Sequence, residues 1–203
     1  MALLDLCFQN QIKPFAGKTN PRATLRRICA LVFCGILFSL FAHAQPASPE
    51  YKLKAVFLFN FVRFTEWPPS AFPTESSPII IGVLGADPFG KTLDQTVKDE
   101  VANGHPIEVR RYKTVNEIKK CHVLFISSSE SDRLGSILSA LKGRNILTVG
   151  DIEGFADKGG MVRFRKENNK IRFRINVEAA KAENLSISSK LLQLADIVPE
   201  KSP

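Results

Sequence analysis

The sequence predicts an α/β fold: one three-layer domain with a mostly parallel sheet flanked by helices, plus a C-terminal antiparallel β-hairpin. Three observations predict it. Residues 78–84 (PIIIGVL), 121–126 (CHVLFI) and 146–149 (ILTV) are short apolar runs bounded by turn residues, the pattern of strands buried on both faces. Stretches with N-cap residues and helical spacing lie between them, and strand–helix alternation argues for parallel strands joined by right-handed crossovers. Finally, residues 161–165 and 170–175 alternate with period two around Glu167-Asn168-Asn169, the signature of a hairpin.

The chain has 203 residues and a formal charge of +8. That length suits one domain and a leader. Residues 1–44 read as a secretory signal peptide. Arg26-Arg27 close a basic region, residues 28–41 are apolar, and Ala42-His43-Ala44 is a small-x-small cleavage site. Much of the positive charge belongs to this leader. Cys7, Cys29 and Cys34 would leave with it, so Cys121 has no disulfide partner and stability rests on packing. Residues 45–50 are a short tether and 199–203 a tail.

The first element of the domain is a helix over 51–66, stopped by Pro68-Pro69. Its spacing places Leu53, Phe57 and Phe61 on one inward face, with Val56, Phe59 and Val62 covering most of the rest. Trp67, at its end, reads as a core plug. A Pro/Ser loop spans 68–78 and the first buried strand 78–84. Gly85-Ala86-Asp87-Pro88 turns into a helix over 89–99. Residues 107–112 (IEVRRY) are a more polar strand nearer an edge, and 115–120 a short helix. After the strand at 121–126, the run from Ser127 to Asp132 supplies N-cap residues for a helix over 133–142. The strand at 146–149 is followed by a helical turn at 152–156. In the hairpin, Val162, Phe164, Ile171, Phe173 and Ile175 share one face, and Arg163, Arg165, Arg172 and Arg174 the other. Asn176 caps a helix through Glu183. Ser186 or Ser188 caps a last helix with Leu191, Leu194 and Ala195 inward.

Catalytic signatures are sparse. No GxSxG, HExxH, Walker A, GxGxxG or CxxC pattern occurs, and no Cys/His spacing suits a metal. His122 lies inside an apolar strand and reads as structural. The basic residues alternate along strands and do not cluster among aromatics, which argues against nucleic-acid binding. Two constellations stand out. In parallel sheets, ligands favour the crevice at the carboxyl ends of the strands. Here those ends carry Asp87, Ser127, Ser128, Ser129 and Asp151, a hydroxyl-rich rim with two carboxylates suited to a small polar ligand or a cation. The arginine face of the hairpin is the second, a cationic ladder for an acidic partner.

Several blocks together carry a resemblance. They are the run Lys54-Ala55-Val56-Phe57-Leu58-Phe59-Asn60-Phe61 closing at Glu66-Trp67-Pro68, then Gly82-Val83-Leu84-Gly85-x-Asp87-Pro88-Phe89-Gly90, and the strand from Cys121 to Ser127. Leu147-Thr148-Val149-Gly150-Asp151 follows, with Phe155-x-x-x-Gly159-Gly160-Met161-Val162-x-Phe164, Arg172-Phe173-x-Ile175-Asn176 and Ile187-Ser188-Ser189-Lys190-Leu191-Leu192. In this order the blocks resemble the YfiR family of exported proteins over residues 51–198.

The resemblance implies a periplasmic, non-enzymatic regulator without a cofactor. It would bind and inhibit the periplasmic sensor domain of an inner-membrane diguanylate cyclase, and so control cyclic di-GMP signalling and biofilm formation. Sequestration by an outer-membrane OmpA-like lipoprotein would relieve the block, and a homodimer is compatible. Paired cysteines act as redox-sensitive staples in relatives; Cys121 alone offers no such pair. The partner surface is expected on the hairpin and terminal helix, at Phe155, Arg163, Arg165, Ile187 and Leu191. The alternative expectation is a periplasmic small-ligand sensor acting on another membrane receptor through Asp87, Ser127–Ser129 and Asp151.

Overall fold

The computed structural model describes residues 47–74 and 76–199. The leader expected over 1–44 and nearly all of the expected tail lie outside them. The fold is mixed α/β. Eight strands form one sheet: β2 (Ile79–Leu84), β3 (Val101–Ala102), β4 (His105–Tyr112), β5 (Val123–Ile126), β6 (Leu147–Gly150), β7 (Val162–Glu167), β8 (Lys170–Ile175) and β10 (Asp196–Ile197). Their order is β10-β8-β7-β6-β5-β2-β4-β3. The run β4-β2-β5-β6-β7 is parallel throughout. It is the 2-1-3-4-5 order of a doubly wound sheet, whose direction reverses between β2 and β5.

The hairpin is part of this sheet. Val149 and Gly150 of β6 pair in parallel with Val162 and Arg163 of β7, and β8 then pairs antiparallel from Val162↔Ile175 to Glu167↔Lys170. Its tip places Asn168 and Asn169 at φ 48° and 60°, a conformation asparagine tolerates better than most residues. Only two strand residues of β7 pair with β6, so the hairpin's outer half extends beyond the carboxyl end of β6.

Each face of the central strands has its own core. Ile79, Ile81, Val83, Val123 and Phe125 pack with α1 (Pro49–Arg63) and α2 (Lys91–Val97). Ile80, Leu84, Leu124 and Ile126 pack with α3 (Leu134–Leu141). The strict alternation follows from the period-two geometry of a strand, and explains why all six residues of β2 are buried.

Helix α1 begins with Pro49 in its first turn, where a missing N–H costs nothing, and Glu50 favours the positive end of the helix. It ends at Arg63, three residues before the expected stop. Thr65–Glu66 instead forms a strand, β1, paired antiparallel with β9 (Ser186–Ile187). The helix is also rotated from the expected orientation. Its buried residues are Lys54, Ala55, Leu58, Phe61 and Val62, while Leu53 is 44% and Val56 45% exposed. Burying Lys54 in place of Leu53 requires partners for its charge, and the fold supplies two. Phe61 lies 5.6 Å from Phe164 and 5.3 Å from Phe173 between ring centroids, fastening α1 to the hairpin's apolar face.

The remaining helices are short. Asn176 caps α4 (Val177–Ala182) by accepting from the Ala179 N–H, as expected. Ser188 caps α5 (Ser189–Leu192). Leu194, expected inward, is 68% exposed, because α5 ends at Leu192 and the chain turns to pair β10 with β8. Trp67 packs against the first core, and its ring meets His122 edge-on at 5.9 Å. His122 itself is buried. Its Nδ1 accepts from the Ile80 N–H at 3.0 Å, and burial lowers its pKa to about 4. Cys121 is buried too, and desolvation pushes its thiol up to about 12, which leaves it protonated and unreactive.

Candidate functional site

The expected rim at the carboxyl ends of the strands exists, but the fold divides it. At the β2–β5 reversal, Asp87 is consumed by local structure. Its Oδ1 accepts from the Phe89 N–H at 2.8 Å, and its Oδ2 accepts from Arg111 Nε at 2.8 Å. Arg111 also donates to Asp94 and to the Gly90 carbonyl. Those bonds hold the Asp94 carboxyl below the usual carboxylate range. Ser127 is buried and accepts from the Ser129 N–H at 3.4 Å. Ser129 Oγ accepts from the Ala86 N–H at 3.0 Å and donates to the buried Glu130. Gly85 has φ +90°, and a Cβ there would meet Ser129 Oγ at 2.5 Å and Glu130 at 2.7 Å. The reversal point is therefore packed solid.

One strand pair along the sheet, the same end is open. A cavity of about 550 Å³ lies over β6 and the outer half of β7, lined by Tyr51, Lys54, Ser128, Asp151, Arg163 and Arg165 among others. Its floor is an ion pair between elements 97 residues apart. Lys54 Nζ lies 2.7 Å from Asp151 Oδ2 and 2.7 Å from Glu50 Oε1, with Lys54 3% and Asp151 12% exposed. Tyr51 donates its hydroxyl to the same Asp151 Oδ2 at 2.8 Å, and Lys54 Nζ sits 4.3 Å from the Tyr51 ring centroid. Burial, followed by the hydrogen bond to Asp151, raises the Tyr51 pKa and keeps the phenol protonated. Both side-chain contacts to Asp151, from Lys54 and Tyr51, fall on Oδ2. Asp151 Oδ1 is buried without a partner among the described residues.

Of the five rim residues, then, Ser128 and Asp151 meet at the cavity, while Asp87, Ser127 and Ser129 serve the turns. Tyr51 and Lys54 were missed. A signal for Lys54 was present: it stands four and seven residues before Leu58 and Phe61, on the buried face, with Glu50 one turn earlier.

The residues expected at a partner surface also separate. Phe155 is 0% exposed, and its ring lies beneath Gly150 and Gly160, which have no side chains to displace it. Leu191 is 3% exposed and belongs to the first core. Both are buried in this fold, Leu191 facing inward as its helical spacing predicts and Phe155 packed under a turn. Ile187 is half-buried in β9 opposite Thr65, away from the hairpin ladder in pairing. Arg163 and Arg165 do share a face with Arg174 and Arg172, their cross-strand partners. Arg165 bonds Asp196 at 2.8 Å, and Arg174 reaches Asp157 at 3.4 Å. Arg163 and Arg172 have no ion pair among the described residues. The ladder is thus a cationic strip with two uncommitted guanidinium groups.

A comparison with curated proteins finds no match. Residues 51–196 match the family described as YfiR/HmsC-like, a periplasmic, regulatory family associated with cyclic di-GMP signalling. The match runs from the first turn of α1 to the start of β10, and so takes in the central strands, the hairpin ladder and all of the cavity lining except Glu50. The chain belongs to the YfiR/HmsC-like family.

Proposed function

We propose that the protein is an exported, non-enzymatic regulator that binds the periplasmic sensor domain of an inner-membrane diguanylate cyclase and holds it inactive. Family membership over 51–196 carries this reading. Release would follow capture of the regulator by an outer-membrane OmpA-like lipoprotein. The arginine face of β7–β8 is the surface that suits an acidic partner. Arg163 and Arg172 on it have no ion pair among the described residues, and opposite charge across an interface speeds association and fixes register.

A pull-down from inner membranes, with the purified protein as bait, tests the reading. Recovery of a diguanylate cyclase is expected. The Arg163→Glu/Arg172→Glu double variant tests the surface. Each new glutamate would face an arginine across the hairpin, at Arg174 and Arg165, so folding should survive. Cyclase recovery should fall by about tenfold or more. Full recovery with the double variant would remove the arginine face from the interface. Recovery of no cyclase by a folded bait would remove the cyclase as the partner.

A further inference from the structure

The open cavity at the end of β6 is built like a ligand site, and its polar groups specify a chemistry. We propose that it binds a small hydroxycarboxylate of the sugar-acid type, its carboxylate on Arg163 and a hydroxyl on Asp151. The assignment is independent of which membrane partner the protein has.

Some polar groups of the cavity are already paired. Lys54 is locked between Glu50 and Asp151, and Tyr51 gives its proton to Asp151 Oδ2. Asp151, Arg163 and Ser128 keep unmatched groups, as does Arg165 at its Nε although it pairs with Glu167 and Asp196. Asp151 Oδ1 is an acceptor buried without a donor, a state that folded proteins seldom leave uncorrected. Arg163 is half-buried, without an ion pair among the described residues, and its Nε is buried without an acceptor. The Ser128 hydroxyl is exposed at the rim and has no hydrogen bond among the described residues. Asp151 with an unmatched carboxylate oxygen, Arg163 without an ion pair among the described residues, and the Ser128 hydroxyl therefore line the same cavity.

Charge sets the sign of the ligand. Lys54, Arg163, Arg165 and Lys166 line the cavity against Glu50, Asp151 and Glu167, four cations to three carboxylates. The surplus belongs to Arg163, whose planar fork suits a carboxylate. The group on Asp151 has to donate without adding positive charge. Lys54 already neutralises that carboxylate at 2.7 Å, and a second ammonium beside it would be repelled. A hydroxyl fits and an amine does not. The volume, about 550 Å³, lies in the range of small-molecule sites. Position agrees as well, since the cavity sits at the carboxyl ends of parallel strands, where open α/β sheets hold their ligands.

The test is calorimetric titration and thermal shift of the purified protein with D-gluconate and D-glycerate. D-glucose serves as the uncharged control and L-serine as the zwitterionic one. Gluconate or glycerate should bind and raise Tm, since a ligand of the native state alone stabilises it. Arg163→Gln should weaken that binding by about tenfold or more while leaving the unliganded Tm unchanged, and Arg163→Lys should restore part of it. Ser128→Ala should weaken it less. Three outcomes would overturn the proposal: no binding by either acid, binding undiminished in Arg163→Gln, or glucose or serine binding as tightly as gluconate.

Discussion

Two neighbouring regions at the carboxyl end of one sheet have been used in opposite ways. The β2–β5 reversal and the β6–β7 edge both gather Asp, Ser and Arg side chains. At the reversal, Asp87, Ser127 and Ser129 each bond a backbone amide nearby, and Arg111 fills its donors with Asp87, Asp94 and Gly90. These groups come from the turns after β2 and β5, from α2 and from β4, and they satisfy one another and leave no room. At β6–β7 the groups come from α1, the residue after β6, β7 and the turn after β5. The two contacts from α1 converge on a single oxygen of Asp151, and its other oxygen and Arg163 are unmatched among the described residues. Both clusters join segments distant in sequence; the difference is that donors and acceptors are matched at the reversal and are not at the cavity.

The sharpest way to break this comparison is through its buried charge. Asp151→Ala leaves Lys54, 3% exposed, with Glu50 alone, and should cost about 3–5 kcal/mol in urea unfolding. Asp87→Ala removes a partly exposed pair and one turn bond, and should cost about 1 kcal/mol. Equal losses at the two sites would erase the distinction. Adding Lys54→Met to Asp151→Ala should recover part of the stability, because the stranded ammonium goes with it.

Phe155→Ala should be comparably severe, at about 3–5 kcal/mol, since the ring is fully buried under Gly150 and Gly160. Partner binding per folded molecule should not change. A selective loss of binding with normal stability would return Phe155 to the interface.

Acid titration separates both regions from the amino end of the sheet. His122 has a folded-state pKa of about 4, below its unfolded value near 6.5, so the unfolded chain binds the proton more readily. Its contribution is complete above about pH 6.5 and is lost as pH falls toward 4, by up to about 3 kcal/mol. His122→Gln should flatten the urea midpoint across that window; an unchanged slope would assign it to the carboxylates instead. The smallest effect is expected at Arg163→Gln, within about 0.5 kcal/mol of the parent, because the guanidinium has no ion pair to lose among the described residues.

Local pattern alone determined a good deal of this molecule. The apolar runs at β2, β5 and β6, the period-two hairpin and the Asn176 cap are short-range features, written in consecutive residues, and each lies within a residue or two of its expected place. The family resemblance was legible for the same reason, as ordered blocks along the chain. The sequence also placed the rim at the correct end of the sheet, because strand ends and turn residues are local. What tertiary structure decided were the pairings between distant elements. Only the packed fold rotates α1 so that Lys54 enters the core to meet Asp151, 97 residues away. The sheet likewise takes in the hairpin through two residues of β7, and the turn after β6 carries Phe155 into a core that its neighbours in sequence do not announce. The physical reason is common to all of these: burial of a charge or an aromatic ring is permitted by what arrives from elsewhere in the chain, and periodicity within one element does not record it.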